Sequence, residues 1–194
     1  MAILSRERAV QSSAEACENF INTYYKTLNE HKSVASYYVT NNQTYCNAGH
    51  PPADICINGL VLATPAEWDA MLAAQRQAPG SSTASSTTTH RPFPVTYEVE
   101  SWDAHVINPD YRFAAPPALL VPDPSKSDHG AGIRIMTMLT VSGTVHFTNE
   151  RDGESFKQHF NDVFILVPNW DILARHGKNA VKRYLIASHN YRAF

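Results

Sequence analysis

The stretch from Glu154 to Asn169 is apolar in both strand alternations over its second half. One phase holds Phe160, Phe164 and Leu166, and the other holds Val163, Ile165 and Val167. Because successive side chains of a β-strand point to opposite faces of its sheet, both faces are apolar here. An antiparallel sheet normally exposes one face to water. The pattern therefore predicts a cover on each face. The chain's own helices can supply one cover, and the nature of the second is the functional question.

Three more segments predict long strands of the same sheet. Residues 133–148 place Ile135, Leu139, Val141, Val145 and Phe147 in one phase, and Met136 and Met138 in the other. Residues 181–191 place Leu185 and Ala187 on one side, and Tyr184 and Ile186 on the other. Residues 95–107 alternate and then change phase, which predicts a β-bulge near Ser101 to Asp103.

Helical spacing dominates the first part of the chain. Residues 6–29 predict an amphipathic helix, residues 32–38 a short second helix, and Thr64-Pro65 the capped start of a third. Short strands are predicted at 43–47, 55–58 and 60–63. Helices and short strands followed by four long strands predict an α+β fold. In it, three N-terminal helices pack on one face of a curved antiparallel sheet.

Two segments interrupt this order without ending the domain, which we expect to span residues 1–194. Residues 78–92 are a low-complexity run rich in Ser and Thr, and they predict a flexible loop. Residues 108–131 contain five prolines around an apolar tip at Ala118 to Val121. That tip can fold back onto the domain or dock on another surface, and the sequence leaves both possibilities open.

Composition narrows the function classes. The formal net charge of −2 excludes the overall basic field of a dedicated nucleic-acid binder. Three irregularly spaced cysteines give no disulfide framework and suit a reducing compartment. The N-terminus lacks the pattern of a signal peptide, and no apolar run approaches the ~20 residues of a membrane helix. The sequence therefore predicts a soluble intracellular protein without a membrane contact.

Four sequence segments resemble the nuclear transport factor 2-like family. They are FINTYYKTL (20–28), FNDVFILVPN (160–169), YLIASHNYRAF (184–194) and WDAHVINP (102–109). Within that family the pattern is most similar to the fungal mRNA transport regulators, the small subunits of the mRNA export receptor heterodimer. The resemblance implies a non-enzymatic protein of the nucleus and nuclear pore that shuttles to the cytoplasm. It further implies that the helix-free sheet face binds the related domain of a large subunit.

The resemblance also implies where the partner binds. Matching strand positions give the following interface residues: Met136, Met138, Thr140, Val163, Ile165, Tyr184 and Ile186. The family often carries, near the bulge, an acidic residue that pairs with a partner arginine. Asp103 is the nearest candidate.

One basic cluster flanks the last hairpin, and it contains Arg175, His176, Lys178, Lys182 and Arg183. Two interpretations remain open: an ordinary solvated turn, or contact with RNA phosphates through Arg175, Lys178, Lys182 and Arg183. Because no aromatic platform or RNA motif accompanies the cluster, sequence-specific readout is not expected. Direct contact with the phenylalanine-glycine repeats of pore proteins also stays open.

Two other functions fit the same fold. A dehydratase or isomerase would work inside the cone with His189, Asp162 and the tyrosines, although no acid–base pair stands at a recognisable spacing. A homodimeric import carrier for a small GTPase is the second alternative. Cys46, His50 and Cys56 match no common zinc spacing, and no nucleotide-binding glycine loop is present, so no metal or cofactor is expected.

Overall fold

The computed structural model describes residues 6–76, 94–120, 134–148, 155–176 and 182–194. The helices are α1 (Arg6–Asn29), α2 (Gln43–Asn47), α3 (Pro65–Gln75), α4 (Pro117–Leu120) and α5 (Trp170–His176). The strands are β1 (Asp54–Ile57), β2 (Leu60–Leu62), β3 (Val95–Asn108), β4 (Met136–Thr148), β5 (Ser155–Pro168) and β6 (Tyr184–Ala193). Among these residues, no helix combines the length and apolarity needed to cross a membrane. The predicted loop at 78–92, with the remainder of the second insertion beyond Leu120, lies outside the described residues.

The six strands form one sheet in the order β2-β1-β6-β5-β4-β3. All neighbours pair antiparallel except β1 and β6, which run parallel. The predicted α+β class is therefore confirmed, with one correction to the all-antiparallel sheet. The exception arises because β1 comes before the long strands in sequence and joins the sheet beside the last of them.

Helix α1 covers one face of this sheet and runs antiparallel to β3. At its C-terminal end, the Asn29 side chain accepts a hydrogen bond from the backbone N–H of Tyr97 at 2.8 Å and donates to its carbonyl at 3.0 Å. Nearer its N-terminus, the Ser13 hydroxyl lies 2.9 Å from the Thr137 hydroxyl on β4. These contacts define the helix-covered side as the inner face, and the opposite side is called the outer face.

Local structure between α1 and β1 differs from the prediction. Residues 43–47, predicted as a strand, form α2, because the Asn42 side chain caps it by accepting from the Tyr45 N–H at 3.1 Å. The buried Tyr45 hydroxyl then donates to the Pro168 carbonyl at 2.7 Å. Cap and tertiary contact outweigh the strand preference of Thr and Tyr. The predicted second helix is present as two 3₁₀ turns, Ala35–Tyr37 and Val39–Asn41.

Residues 109–120 and α5 pack over one end of the outer face, and we call them the covering layer. The Trp170 indole donates from Nε1 to the Phe113 carbonyl at 2.8 Å and stacks on Tyr111 with the two ring planes 11° apart. Arg134 forms an ion pair with Asp110 at 3.1 Å. Helix α5 is not among the helices predicted from the sequence. The described part of the insertion folds back onto the domain, and Leu119 of the apolar tip packs against the core.

Candidate partner-binding face

The inner face, where an enzyme of this fold would hold its substrate, carries a sealed polar network. The His189 ring lies 2.7 Å from the Tyr38 hydroxyl through Nδ1 and 2.7 Å from Asp162 Oδ1 through Nε2. Tyr25 donates to the second oxygen of that carboxylate at 2.9 Å. The exposed fractions of His189 and Asp162 are 1% and 2%. Burial raises the pKa of Tyr25 and Tyr38 well above the usual value, so both hydroxyls stay protonated.

Aromatic rings fill the space around this network. Phe164 stacks on the His189 ring with centroids 4.6 Å apart, and the Trp68 indole donates to the Tyr24 hydroxyl at 3.3 Å. Both Phe164 and Tyr24 are fully buried. The candidate catalytic residues therefore satisfy one another inside packed core, where a substrate does not reach them. This is the arrangement of a structural polar network.

The outer face presents an apolar strip on the neighbouring strands β4 and β5. The register sets Met138 beside Ile165 and Thr140 beside Val163, and all four side chains are half-buried. Further along, the Asn161 amide donates to the Ser142 hydroxyl at 3.1 Å. Within the described residues, nothing packs over this part of the sheet deeply enough to bury it. We call Met138, Thr140, Val163 and Ile165 the open strip.

Strand β6 does not contribute the residues predicted for this face. Leu166 pairs with Ile186, whereas Ile165 pairs with Ser188, so Ala187 is an extra residue that shifts the phase of β6. Tyr184 and Ile186 consequently point inward, with exposed fractions of 3% and 0%. Their assignment to the interface is therefore wrong.

The outer positions of β6 belong to Ser188, Asn190 and Arg192. These three residues were missed because Tyr184 to Ala187 is apolar in both phases, which hides a bulge. A signal does exist: from Ser188 onward, polar side chains alternate with His189, Tyr191 and Ala193. Arg192 is exposed, and its guanidinium lies against Gly59 in the β1–β2 turn. The face therefore continues across β6 with polar and cationic chemistry.

Asp103 lies on the outer side of β3, in register with Thr140, at the margin of the open strip. Its side chain is 73% exposed, with Oδ2 3.0 Å from His105 Nε2 and Oδ1 accepting the Ala104 N–H at 2.8 Å. The neighbouring bulge falls at Glu100, one residue before the predicted position. A pairing of Asp103 with a partner arginine remains a prediction.

At the other end, the outer face is closed by the covering layer. Val167 and Leu185 pair with each other in the outer phase, yet their exposed fractions are 0% and 2%. Trp170 and Leu173 of α5 belong to the same buried cluster, and Met136 packs against it while staying half-buried. Met136 therefore marks the boundary between the covered end and the open strip.

The basic residues proposed to contact RNA differ in their surroundings and in their exposure to solvent. Lys182 donates to the Ser36 hydroxyl at 3.1 Å and lies 4.2 Å over the Tyr37 ring, and burial lowers its pKa. Arg183 is half-buried, whereas Arg175 is exposed on α5. Lys178 lies outside the described residues. Of the cations that the structure describes here, Arg175 is the best placed to meet a phosphate.

The weighed metal candidates have local partners instead. The Cys46 thiol lies 3.2 Å from the Thr40 carbonyl, and His50 Nδ1 lies 2.7 Å from the Pro51 carbonyl. Across the described ranges, no three His, Cys, Asp or Glu side chains are grouped to hold an ion.

Comparison with known proteins places this geometry among solved relatives. No family model and no curated protein matches the chain. A structure of Mtr2 is 49% identical over 94% of this chain and 99% of that chain, with a TM-score of 0.76. A chain in the structure of a Sac3N peptide bound to Mex67:Mtr2 matches at 50% identity and a TM-score of 0.75, with the same coverage. A chain in the structure of the Chaetomium thermophilum Mex67 NTF2-like domain complexed with Mtr2 also matches at 50% identity, with the same coverage and a TM-score of 0.76.

Proposed function

The chain belongs to the Mtr2 family, and we propose that it is the small subunit of a heterodimeric mRNA export receptor. Its partner is the NTF2-like domain of a Mex67-type large subunit, and the heterodimer supports RNA export through nuclear pores. The relatives at about half identity, solved with Mex67, support this assembly over a homodimeric import carrier.

One observation carries the choice of surface. Met138, Val163 and Ile165 are apolar, lie side by side on the neighbouring strands β4 and β5, and are only half-buried in the isolated chain. A sheet face of this kind gains free energy when a second apolar face removes it from water. Obligate interfaces bury on the order of 2,000 Å² or more, which requires the face to extend beyond the strip. Met136 and the outer residues of β6 supply that extension.

Charged groups at the two margins would set the orientation of the partner. Arg192 lies on β6 at one margin and Asp103 on β3 at the other. Complementary charges on the partner would fix the register of the two sheets more than they would raise the affinity.

The role is proposed to be non-enzymatic, because the ionisable groups of the inner face are engaged with one another and closed off from solvent. The site of action is proposed to be the nucleus and the nuclear pore, with shuttling to the cytoplasm. Two further contacts are separate proposals. One is contact with RNA through Arg175, Lys178, Lys182 or Arg183, and the other is contact of this subunit with phenylalanine-glycine repeats.

Charge insertion into the open strip tests the surface. Val163→Asp and Ile165→Asp should each abolish co-purification with the NTF2-like domain of the large subunit, because an unpaired carboxylate would be buried in the interface. Val10→Asp is the matched control, since Val10 is an exposed valine on α1, away from the outer face. Normal recovery of the partner with Val163→Asp and Ile165→Asp would show that this surface does not bind the partner.

The mass of the chain expressed alone, measured by size exclusion with light scattering, distinguishes an orphan subunit from a homodimer.

A further inference from the structure

Among the residues that the structure describes, no strand pairs with the outer edge of β3. In the sheet order, β4 flanks one side of β3, and no described strand flanks the other. The Ala104 N–H donates to its neighbour's carboxylate, Asp103 Oδ1, rather than to β4. Alternate residues of an antiparallel strand point their backbone groups the same way, and the register is unbroken from Ser101 to Val106. The backbone groups of Trp102 and Val106 therefore face outward with those of Ala104.

A groove runs along this edge, between β3 and the first turns of α1. Its volume is about 630 Å³, and its lining consists of Arg6, Ala9, Val10, Asp103, Ala104, His105, Val106 and Pro109. Val10 is 50% exposed, and Ile107 and Trp102 beside the groove are also exposed. Apolar side chains thus stand next to open backbone donors and acceptors, which is the combination that an added strand uses.

Arg6 makes one end of the groove cationic. No described residue pairs with its guanidinium, and since α1 runs antiparallel to β3, Arg6 lies at the end of the groove near Pro109. The Asp103 carboxylate, further along β3, contacts the His105 ring and accepts the Ala104 N–H. The cationic end therefore favours a carboxylate beside Arg6.

We propose that this groove binds an extended, acidic peptide segment of a further protein, which joins the sheet as a strand next to β3. One apolar side chain of the peptide lies against Val10 and Val106, and a carboxylate lies beside Arg6. A peptide carbonyl takes over the Ala104 N–H from Asp103. The bulges at Glu100 and Ile107 limit the added strand to residues 101–106. The groove shares Asp103 with the margin of the proposed partner face, whereas Met138, Thr140, Val163 and Ile165 of the open strip lie outside it and stay available to the heterodimer partner.

Selective N-methylation tests the backbone pairing. The probe is a fluorescein-labelled octapeptide of alternating valine and threonine with a glutamate at each end, titrated by fluorescence anisotropy against the full chain, alone and in the heterodimer. Two further peptides carry N-methyl groups on the even or on the odd residues. Only one of these sets faces β3, so one peptide should bind at least about tenfold more weakly and the other should bind like the parent. Equal behaviour of the two sets, or no saturable binding of the parent, would overturn the proposal.

Variants of the chain locate the site. Val10→Asp and Arg6→Glu should each weaken the parent peptide at least about tenfold, since each adds a negative charge beside the peptide's own carboxylates. Ala104→Pro should do the same by removing the outward N–H, a position at which an edge strand tolerates proline. Gln11→Asp, with its side chain exposed on the same helix, should bind normally. If Val10→Asp binds the parent peptide as tightly as Gln11→Asp does, the groove is not the binding site.

Val163→Asp should still bind the peptide while losing the heterodimer partner, so that failure of one proposal is distinguishable from failure of the other.

Discussion

Val167 and Val163 occupy the same strand and the same phase, yet their surroundings differ completely. Val167 is fully buried under the covering layer, whereas Val163 is half-buried on the open strip. The two valines are four residues apart on β5, so the strand itself does not explain the difference. What differs is the material above them: Trp170 and Leu173 from this chain in one case, and nothing that the structure describes in the other.

This contrast shows how one chain divides a single sheet face between folding and assembly. The covered end needs the α5 segment and residues 109–120 to remove Val167 and Leu185 from water. The open strip keeps the same apolar chemistry without a cover from the described residues, and its exposed area is available to a partner.

A carboxylate at Val167 should prevent stable folding, whereas the same carboxylate at Val163 should not. Val167→Asp buries an unpaired charge at a cost on the order of 5 kcal/mol, comparable with the stability of a small domain. Val163→Asp should change the free energy of unfolding by no more than about 1 kcal/mol, because its side chain keeps contact with water. Urea denaturation of both variants measures the difference. Equal destabilisation would remove the distinction between the two regions.

Removing the Trp170 side chain should weaken the covered end without touching the open strip. Trp170→Ala deletes a fully buried indole and its hydrogen bond to the Phe113 carbonyl. The expected loss is about 3–5 kcal/mol of unfolding free energy. Trp102→Ala is the matched control, because Trp102 is 38% exposed at the sheet edge and should cost about 1 kcal/mol or less. A Trp170→Ala loss no larger than that of the control would show that the covering layer contributes little stability.

The same contrast explains what the sequence could and could not predict. Alternation along Glu154 to Asn169 was sufficient to place Phe164 and Val163 on opposite faces, because strand periodicity is local, and the family resemblance then assigned Val163 to the partner face. It did not distinguish Val163 from Val167, since the cover over Val167 comes from α5 and from a proline-rich insertion. The phase of β6 failed for a related reason. Tyr184 to Ala187 is apolar in both alternations, so this run hides the extra residue at Ala187, and only the alternation from Ser188 onward indicates the phase of β6.

Alkaline pH should destabilise the domain, in part through Tyr45 of α2, whose ring stacks on Phe113 of the covering layer. Burial raises the pKa of Tyr45, whose hydroxyl donates to the Pro168 carbonyl, as it raises that of Tyr25 and Tyr38 on the inner face. A folded-state pKa above the unfolded value of about 10 gives stability that is complete below pH 10 and is lost as the pH rises through the folded value. The free energy of unfolding should therefore fall above about pH 10. Tyr45→Phe should make this slope shallower, at a cost of about 1 kcal/mol near neutral pH. An unchanged slope would place the alkaline sensitivity elsewhere.

The smallest effect concerns RNA at the solvent side of the covering layer. Arg175 is exposed on α5, whereas Lys182 is held by Ser36 and the Tyr37 ring. If the heterodimer meets RNA phosphates here, Arg175→Gln should weaken RNA binding about two- to threefold and reduce the salt slope by about one. Lys182→Gln should leave both nearly unchanged, because its ammonium is engaged within the chain. Filter binding of a single-stranded RNA to the heterodimer at several salt concentrations measures both quantities. An equal loss in the two variants would mean that Lys182 leaves Tyr37 to reach RNA, and a loss in neither would assign these residues to an ordinary solvated surface.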